Sequence, residues 1–186
     1  MGSEPLETGK IGGSEKQEIK IVDYDEDWPK KFQKHAHTIA LALGPSALRI
    51  EHIGSTSVPG LGAKPIIDIL VVVPNSMDES VYLLRLQAAG YVLRVREPDW
   101  YEHRMFRTPE KDVHIHVFSL GCQEIERYLT FRERLRQNVE DRNLYERMKR
   151  ELATKDWTDM DEYARAKTQL IEHVIATARS ADGVKK

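Results

Sequence analysis

The chain has 186 residues, a formal net charge of −2, and 40% hydrophobic and 31% charged residues. That length and balance predict one globular core and exclude a disordered or membrane-embedded chain, and the slightly acidic total excludes a general positive field for gathering nucleic acid. Cys122 is the single cysteine, so no intrachain disulfide forms, and no apolar run nears the roughly 20 residues that span a bilayer.

These features predict a cytoplasmic protein without membrane or nucleic-acid partners; the N-terminus lacks the basic-then-apolar pattern of a signal peptide. Residues 1–17 are rich in Gly, Ser and Glu and are expected to be a flexible tail, with residues 18–180 forming a single domain. Ile19, Ile21 and Tyr24 alternate with polar residues, as in a short edge strand or extended lead-in. Phe32, Ile39 and Leu43 recur at helical spacing, with Asp27 as a cap, Pro29 in the first turn and Gly44-Pro45 as the stop. Leu48 to Ile53 is β-like, and Gly54 to Lys64 reads as a loop with one helical turn. Ile66 to Val73 has the aliphatic pattern of a strand covered on both faces. Ser76 with Glu79 predicts a capping box opening a helix that closes at Gly90. Tyr91–Val95, His103–Thr108 and Val113–Phe118 are β-like. Three helical pieces follow near 123–139, 142–154 and 159–178, with Asp141 and Thr158 as caps for the last two. The predicted fold class is α/β (α+β): a mixed β-sheet flanked by helices, completed by a C-terminal helical section.

Asp68 is the anomaly of the chain. Its strand neighbours are all aliphatic, and an unpaired buried carboxylate is very costly, so Asp68 is either a paired structural aspartate or a metal or ligand carboxylate. Upstream, EHIGSTSVPGL (Glu51 to Leu61) runs a strand into Gly54-Ser55-Thr56. Such a turn offers outward amides and hydroxyls to phosphate oxygens, with Gly54 permitting close approach; the plainer reading is a simple turn.

A Gly-Ser turn at a strand end, followed by an aspartate on the next strand, is similar to the layout of the nucleotidyltransferase superfamily. There the turn holds triphosphate and strand carboxylates hold divalent metal. The run RIEHIGSTSVPGLGAKPIIDILV, with DYDEDWPKKF, HRMFR, HIHVF, YLTFRERLR and DEYARAKTQLI in order, resembles the GrpB family over roughly Ile19 to Ile175. The resemblance implies a nucleotidyltransferase-like fold, a nucleotide or phosphorylated metabolite as small-molecule partner, nucleotidyl or phosphoryl transfer, and a divalent metal (Mg, Mn or Zn). It also implies a second reading, a non-catalytic accessory module, because family members occur fused to dephospho-coenzyme A kinase. Active nucleotidyltransferases carry a second carboxylate two residues after the first; here that position is Leu70, which removes a ligand from two-metal transfer. The neighbouring-strand position falls to His114-Ile115-His116, whose period of 2 sends both imidazoles to one face. Asp68, His114 and His116, with Glu51 if its strand is adjacent, make a set that suits a transition metal better than magnesium. Asp68 and His116 are the catalytic candidates, and a metal-dependent hydrolase on the same residues is a further alternative. The plainer reading of the two histidines is a half-exposed strand face.

Basic residues inside apolar helix stripes complete the candidates. Arg132 falls among Ile125, Tyr128, Leu129, Leu135 and Val139, and Lys167 among Tyr163, Leu170, Ile171 and Val174. Their stems either cover apolar surface or aim their charge at the turn to grip phosphate. Lys64 and Arg107 are further phosphate candidates, Arg107 lying on the opposite strand face from Arg104. Trp28, Trp157 and Phe106 read as packing residues.

Overall fold

The computed structural model describes residues 7–13, 15, 19–157 and 160–183, with no account of the side chains of 160, 161, 164 and 181–183. Six strands form one mixed sheet in the order β1-β4-β5-β6-β3-β2: β1 Gly9–Lys10, β2 Arg49–Ile53, β3 Ile67–Val73, β4 Val92–Glu97, β5 His103–Arg107 and β6 Val113–Ser119. β3 and β6 run parallel; every other pairing is antiparallel. The aliphatic run after Ile66 becomes the interior strand β3, and six of its seven residues are buried. Asp68 is the exception, partly exposed.

The two sheet faces are covered differently. α1 (Trp28–Leu43) and α2 (Leu83–Ala88) pack on the face carrying Ile67, Ile69, Val71, Val73, Phe106, Ile115 and Val117, and bury Trp28, Ile39, Leu43, Tyr82 and Leu86 against it. On the other face α3 (Gln123–Gln137) lays Ile125 and Leu129 over Ile53, Leu70, Val72 and Phe118. α4 (Val139–Ala153) and α5 (Met160–Gly183) close against α3 around Val58, Leu61, Leu135, Tyr145 and Val174. This second layer covers only part of its face and leaves an open basin over Asp68, His114 and His116. Among the described residues no helix is long and apolar enough to cross a membrane.

Three local expectations are corrected. Ser76 and Glu79 make no capping box. Asp78 caps a short 3-10 turn ahead of α2, while the Glu79 carboxylate takes Arg96 Nε and Arg104 Nε, both at 2.6 Å. Two nearly buried guanidinium groups need a counter-charge more than one helix amide needs a cap. Asp141 is not the cap of α4; Asn138 is, accepting from the Asp141 amide at 2.8 Å, while the Asp141 carboxylate takes Arg134 Nε at 2.6 Å. Asp27 holds the N-cap position of α1 without a side-chain capping bond, its carboxylate being drawn to Lys30 at 2.6 Å. Thr158 lies outside the described residues. Within the segment expected to be a tail, Gly9–Lys10 pairs with the edge of β4, and Ile11 donates its N–H to Arg94 O at 2.9 Å.

The turn after β2 is built on Gly54, at φ 70° and ψ −177°, a region that is essentially glycine-only. A Cβ at this position would also stand 2.3 Å from Asp68 Oδ2. Gly54→Ala is therefore expected to lower folding stability by about 1–3 kcal/mol, measured by urea denaturation; a stability equal to wild type would show that the turn does not close on Asp68.

Candidate functional site

Parallel register places Asp68 beside His114 and Leu70 beside His116, and antiparallel register places Ile53 beside Asp68. Laterally paired residues share a face, so Asp68, His114 and His116 project together into a cavity of about 370 Å³. Gly54, Ser55, Lys64, Tyr128, Lys149 and Lys167 are among its other walls. Asp68 Oδ1 lies 3.5 Å from His114 Nδ1 and 3.6 Å from His116 Nε2. One donor atom from each residue falls within 4.8 Å of the other two. Tetrahedral ligands at about 2.1 Å from zinc are separated by roughly 3.4 Å, so this donor set fits a divalent transition metal with one or more positions left open.

A hydrogen-bonded chain behind His116 holds its ring. His103, 5% exposed, has Nδ1 2.7 Å from Glu97 Oε2 and Nε2 3.1 Å from His116 Nδ1. An ionised carboxylate only accepts, so His103 Nδ1 carries a proton. Burial pushes His103 down to about 4. Being neutral, it accepts at Nε2 from the N–H of His116 Nδ1, so that in the neutral His116 ring the lone pair of Nε2 faces Asp68. Phe118 stacks on His103 at 4.7 Å and Trp100 packs edge-on at 5.2 Å, holding the ring in place. Burial pushes the Asp68 carboxyl up, but hydrogen bonds and positive charge from His114 and His116, when their facing nitrogens carry protons, outweigh this and hold it below the usual carboxylate range. Two acceptors facing each other at 3.6 Å repel unless a cation lies between them, either an added imidazole proton or a metal ion.

The opposite wall is basic. Lys149, 2% exposed, donates to Gly62 O at 2.5 Å and lies 4.9 Å from the centre of the Tyr145 ring. Lys167 lies 4.5 Å over Tyr163. Burial, reinforced by the charge of Lys167, lowers both Lys64 and Lys149, the latter to about 7. Burial lowers Lys167 as well, and the Asp68 charge partly offsets it. The cavity thus gathers three lysines against one carboxylate.

Gly54, Ser55, Lys64, Asp68, His114, His116 and Lys167, anticipated separately from sequence, therefore meet in one place. Thr56 also lines the cavity, but its hydroxyl is engaged: it donates to Ile66 O at 3.0 Å and accepts from His52 Nε2 at 3.1 Å, tying the end of β2 to the start of β3. Glu51 stands outside the metal set, paired with Arg49 and Arg132. Arg132 Nη1 bridges Glu51 and His52 O at 2.8 Å each, which pins α3 to β2, and it lines a smaller adjoining cavity of about 190 Å³. Arg107 is held by Glu15 on the far side of His114. Sequence reasoning missed Lys149, His103 and Glu97. Lys149 was within reach, because it falls between Tyr145 and Leu152 in the buried stripe of α4, the same pattern that singled out Lys167. Nothing local marks His103, whose role depends on a neighbouring strand.

Comparison with known proteins places the chain in a family. The profile of the GrpB protein family matches residues 18–177. A UPF0157 protein of Halalkalibacterium halodurans is 50% identical over 162 residues, covering 87% of this chain and 83% of that one. A UPF0157 protein of Streptomyces coelicolor is 48% identical over 171 residues, covering 92% and 90%. Among solved structures, the conserved protein GrpB from Enterococcus faecalis matches with a TM-score of 0.77 and 33% identity, over 86% of this chain and 96% of that one.

Outer partners of metal-ligating histidines typically contribute 10–100-fold in affinity. Glu97→Gln, which removes the charge that orients His103, is expected to weaken zinc or manganese binding by about 10-fold or more in isothermal titration calorimetry, with an unchanged circular dichroism spectrum. Unchanged affinity would detach this chain of residues from the cavity.

Proposed function

The chain belongs to the GrpB protein family, and we propose that its pocket binds a nucleotide or another phosphate-bearing small molecule through one divalent transition metal on Asp68, His114 and His116, and transfers a phosphoryl or nucleotidyl group. The observation that carries this reading is the convergence of one carboxylate oxygen and two imidazole nitrogens opposite three lysines. A carboxylate with two imidazoles favours manganese or zinc over magnesium, which prefers oxygen ligands. When bound, the metal would supply a Lewis acid that polarises a phosphoryl oxygen. Lys64, Lys149 and Lys167 would neutralise the remaining phosphate charge, and the Gly54–Ser55 turn would orient it from above. His116, its Nδ1–H held by His103, would present Nε2 to the metal.

Leu70 bears on the chemistry. It is fully buried beneath α3 with Val72 and Phe118, so β3 offers no second carboxylate and transfer here would proceed with one metal. That same fact favours the second reading, a domain that binds the ligand without turning it over. Release of pyrophosphate or phosphate separates the two.

The test is a thermal-shift series with nucleoside triphosphates in the presence of manganese, zinc or magnesium, on wild type and Asp68→Asn. A ligand at 100 times its dissociation constant adds about 2.7 kcal/mol, several degrees in a chain this size. The expected result is a manganese- or zinc-dependent nucleotide shift that disappears in Asp68→Asn. An equal shift in the variant overturns the metal site.

Lys149 gives a second test. Its folded pKa, about 7, lies below the ordinary 10.5, so between those values the unfolded chain holds more protons and stability attributable to this residue rises with pH. Lys149→Met is expected to raise Tm by about 2–4 °C at pH 6, with a smaller gain at pH 9, while weakening pyrophosphate binding. A Tm gain with full pyrophosphate affinity would place Lys149 outside the site.

A further inference from the structure

A second cavity, about 790 Å³, opens on the same sheet face on the other side of His114 and His116, which line both. Its floor follows from register. Arg107 of β5 pairs with His114, and His114 pairs with Asp68, so the three stand in one row across adjacent strands. Two strand spacings separate Arg107 from Asp68, about 10 Å between backbones. Beside Arg107, Lys111 sits at φ 63° in the β5–β6 turn. Thr108 and Asp112 brace that turn: Thr108 Oγ1 donates to the Asp112 carboxylate at 2.7 Å and accepts from the Val113 amide at 3.2 Å. Arg94, nearly buried, comes up from β4.

These cations already hold an anion. Glu15, reaching back along the sheet from β1, accepts from Arg107 Nη1 at 3.0 Å, Arg107 Nη2 at 2.7 Å and Lys111 Nζ at 2.8 Å, and lies 3.9 Å from Arg94 Nη2. Arg94 also donates to the carbonyls of Ile11 and Gly13. The fork of Arg107 on a carboxylate is the geometry with which arginine grips phosphate. The hydrogen bonds from Arg107 and Lys111 hold the Glu15 carboxyl well below the usual range, so it is anionic at any working pH. The cavity wall carries two glutamates, Glu15 and Glu97, against three arginines and two lysines, and Glu97 is engaged with His103.

We propose that Arg107, Lys111 and Arg94 form a second anion site, for a further phosphate group of the ligand whose other end lies at Asp68, and that Glu15 is its resident, displaceable occupant. The proposal rests on the phosphate reading of the first cavity only for that other end. A ligand bridging the two cavities would pass over His114 and His116 and exchange the Glu15 carboxylate for its own phosphate oxygens. The binding surface then becomes a row of sites about 10 Å long, which selects polyphosphorylated molecules over those with a single phosphate.

Calorimetric titration of the full chain with tripolyphosphate, with and without manganese, tests this. Glu15→Gln is expected to tighten binding at least 5-fold by removing the internal competitor, and adding Arg107→Met to that variant is expected to weaken binding below wild type. Equal affinity of wild type and Glu15→Gln overturns the proposal, including the case where Glu15→Gln lowers Tm and so reports only a structural ion pair. Asp68→Asn separates the two readings. If Asp68→Asn leaves binding unchanged while Glu15→Gln still tightens it, the second anion site stands and the metal reading fails. If Asp68→Asn abolishes manganese-dependent binding and Glu15→Gln has no effect, the reverse holds.

Discussion

The parallel pairing of β3 with β6 places Asp68 laterally against His114 and Leu70 against His116. Strand side chains alternate with a period of two, so the pairing puts all four on one face, together with Phe118 and Val72 further along. A slip of one residue would turn Asp68 into the aliphatic layer under α1 and bring Ile67 and Ile69 into the basin. Burial of Ile67, Ile69, Val71, Ile115 and Val117 on the opposite face resists that slip. The hydrophobic core and the polar cluster are thus two faces of a single register.

The remaining parts of the site answer to that placement. The chain leaving β2 passes so close over Asp68 that only glycine fits at position 54, and the next residues are held down by Thr56, by Arg136 donating to Ser57 O at 2.8 Å, and by Arg132 on His52 O. Glu97 and His103 hold the His116 ring with Nε2 toward Asp68. The lysines arrive from the loop before β3, from α4 and from α5, and each loses hydration on burial. Desolvating three lysines opposes folding, which Lys149 offsets in part by donating to Gly62 O and Lys167 by resting over the Tyr163 ring.

Much of the fold could be read from local pattern. The aliphatic run after Ile66, the alternating runs at 91–95, 103–108 and 113–118 and the three late helical stretches match strands and helices of the structure within a few residues, because each carries its own period. The misassigned caps share one cause. Ser76 with Glu79, and Asp141, have the right residue types, but Glu79 and Asp141 are drawn to Arg96, Arg104 and Arg134, and Asn138 caps α4 in place of Asp141. An arginine is visible in a sequence; where it sits in space is not.

For the site, the amino-acid sequence by itself determined that Asp68 stood in an apolar strand after a Gly-Ser turn, that His114 and His116 shared a face, and that Lys167 interrupted a buried stripe. Those are one-dimensional facts, since polarity and period belong to each element alone. Only the tertiary structure decided that β6 lies beside β3, that Glu51 pairs with Arg132 and stands outside the cluster, that His103 stands behind His116, and that Lys149 faces Asp68 from a helix about 80 residues later in the chain. Such contacts depend on strand order and helix packing, which are set by burial summed over the whole chain and leave no mark within any one segment.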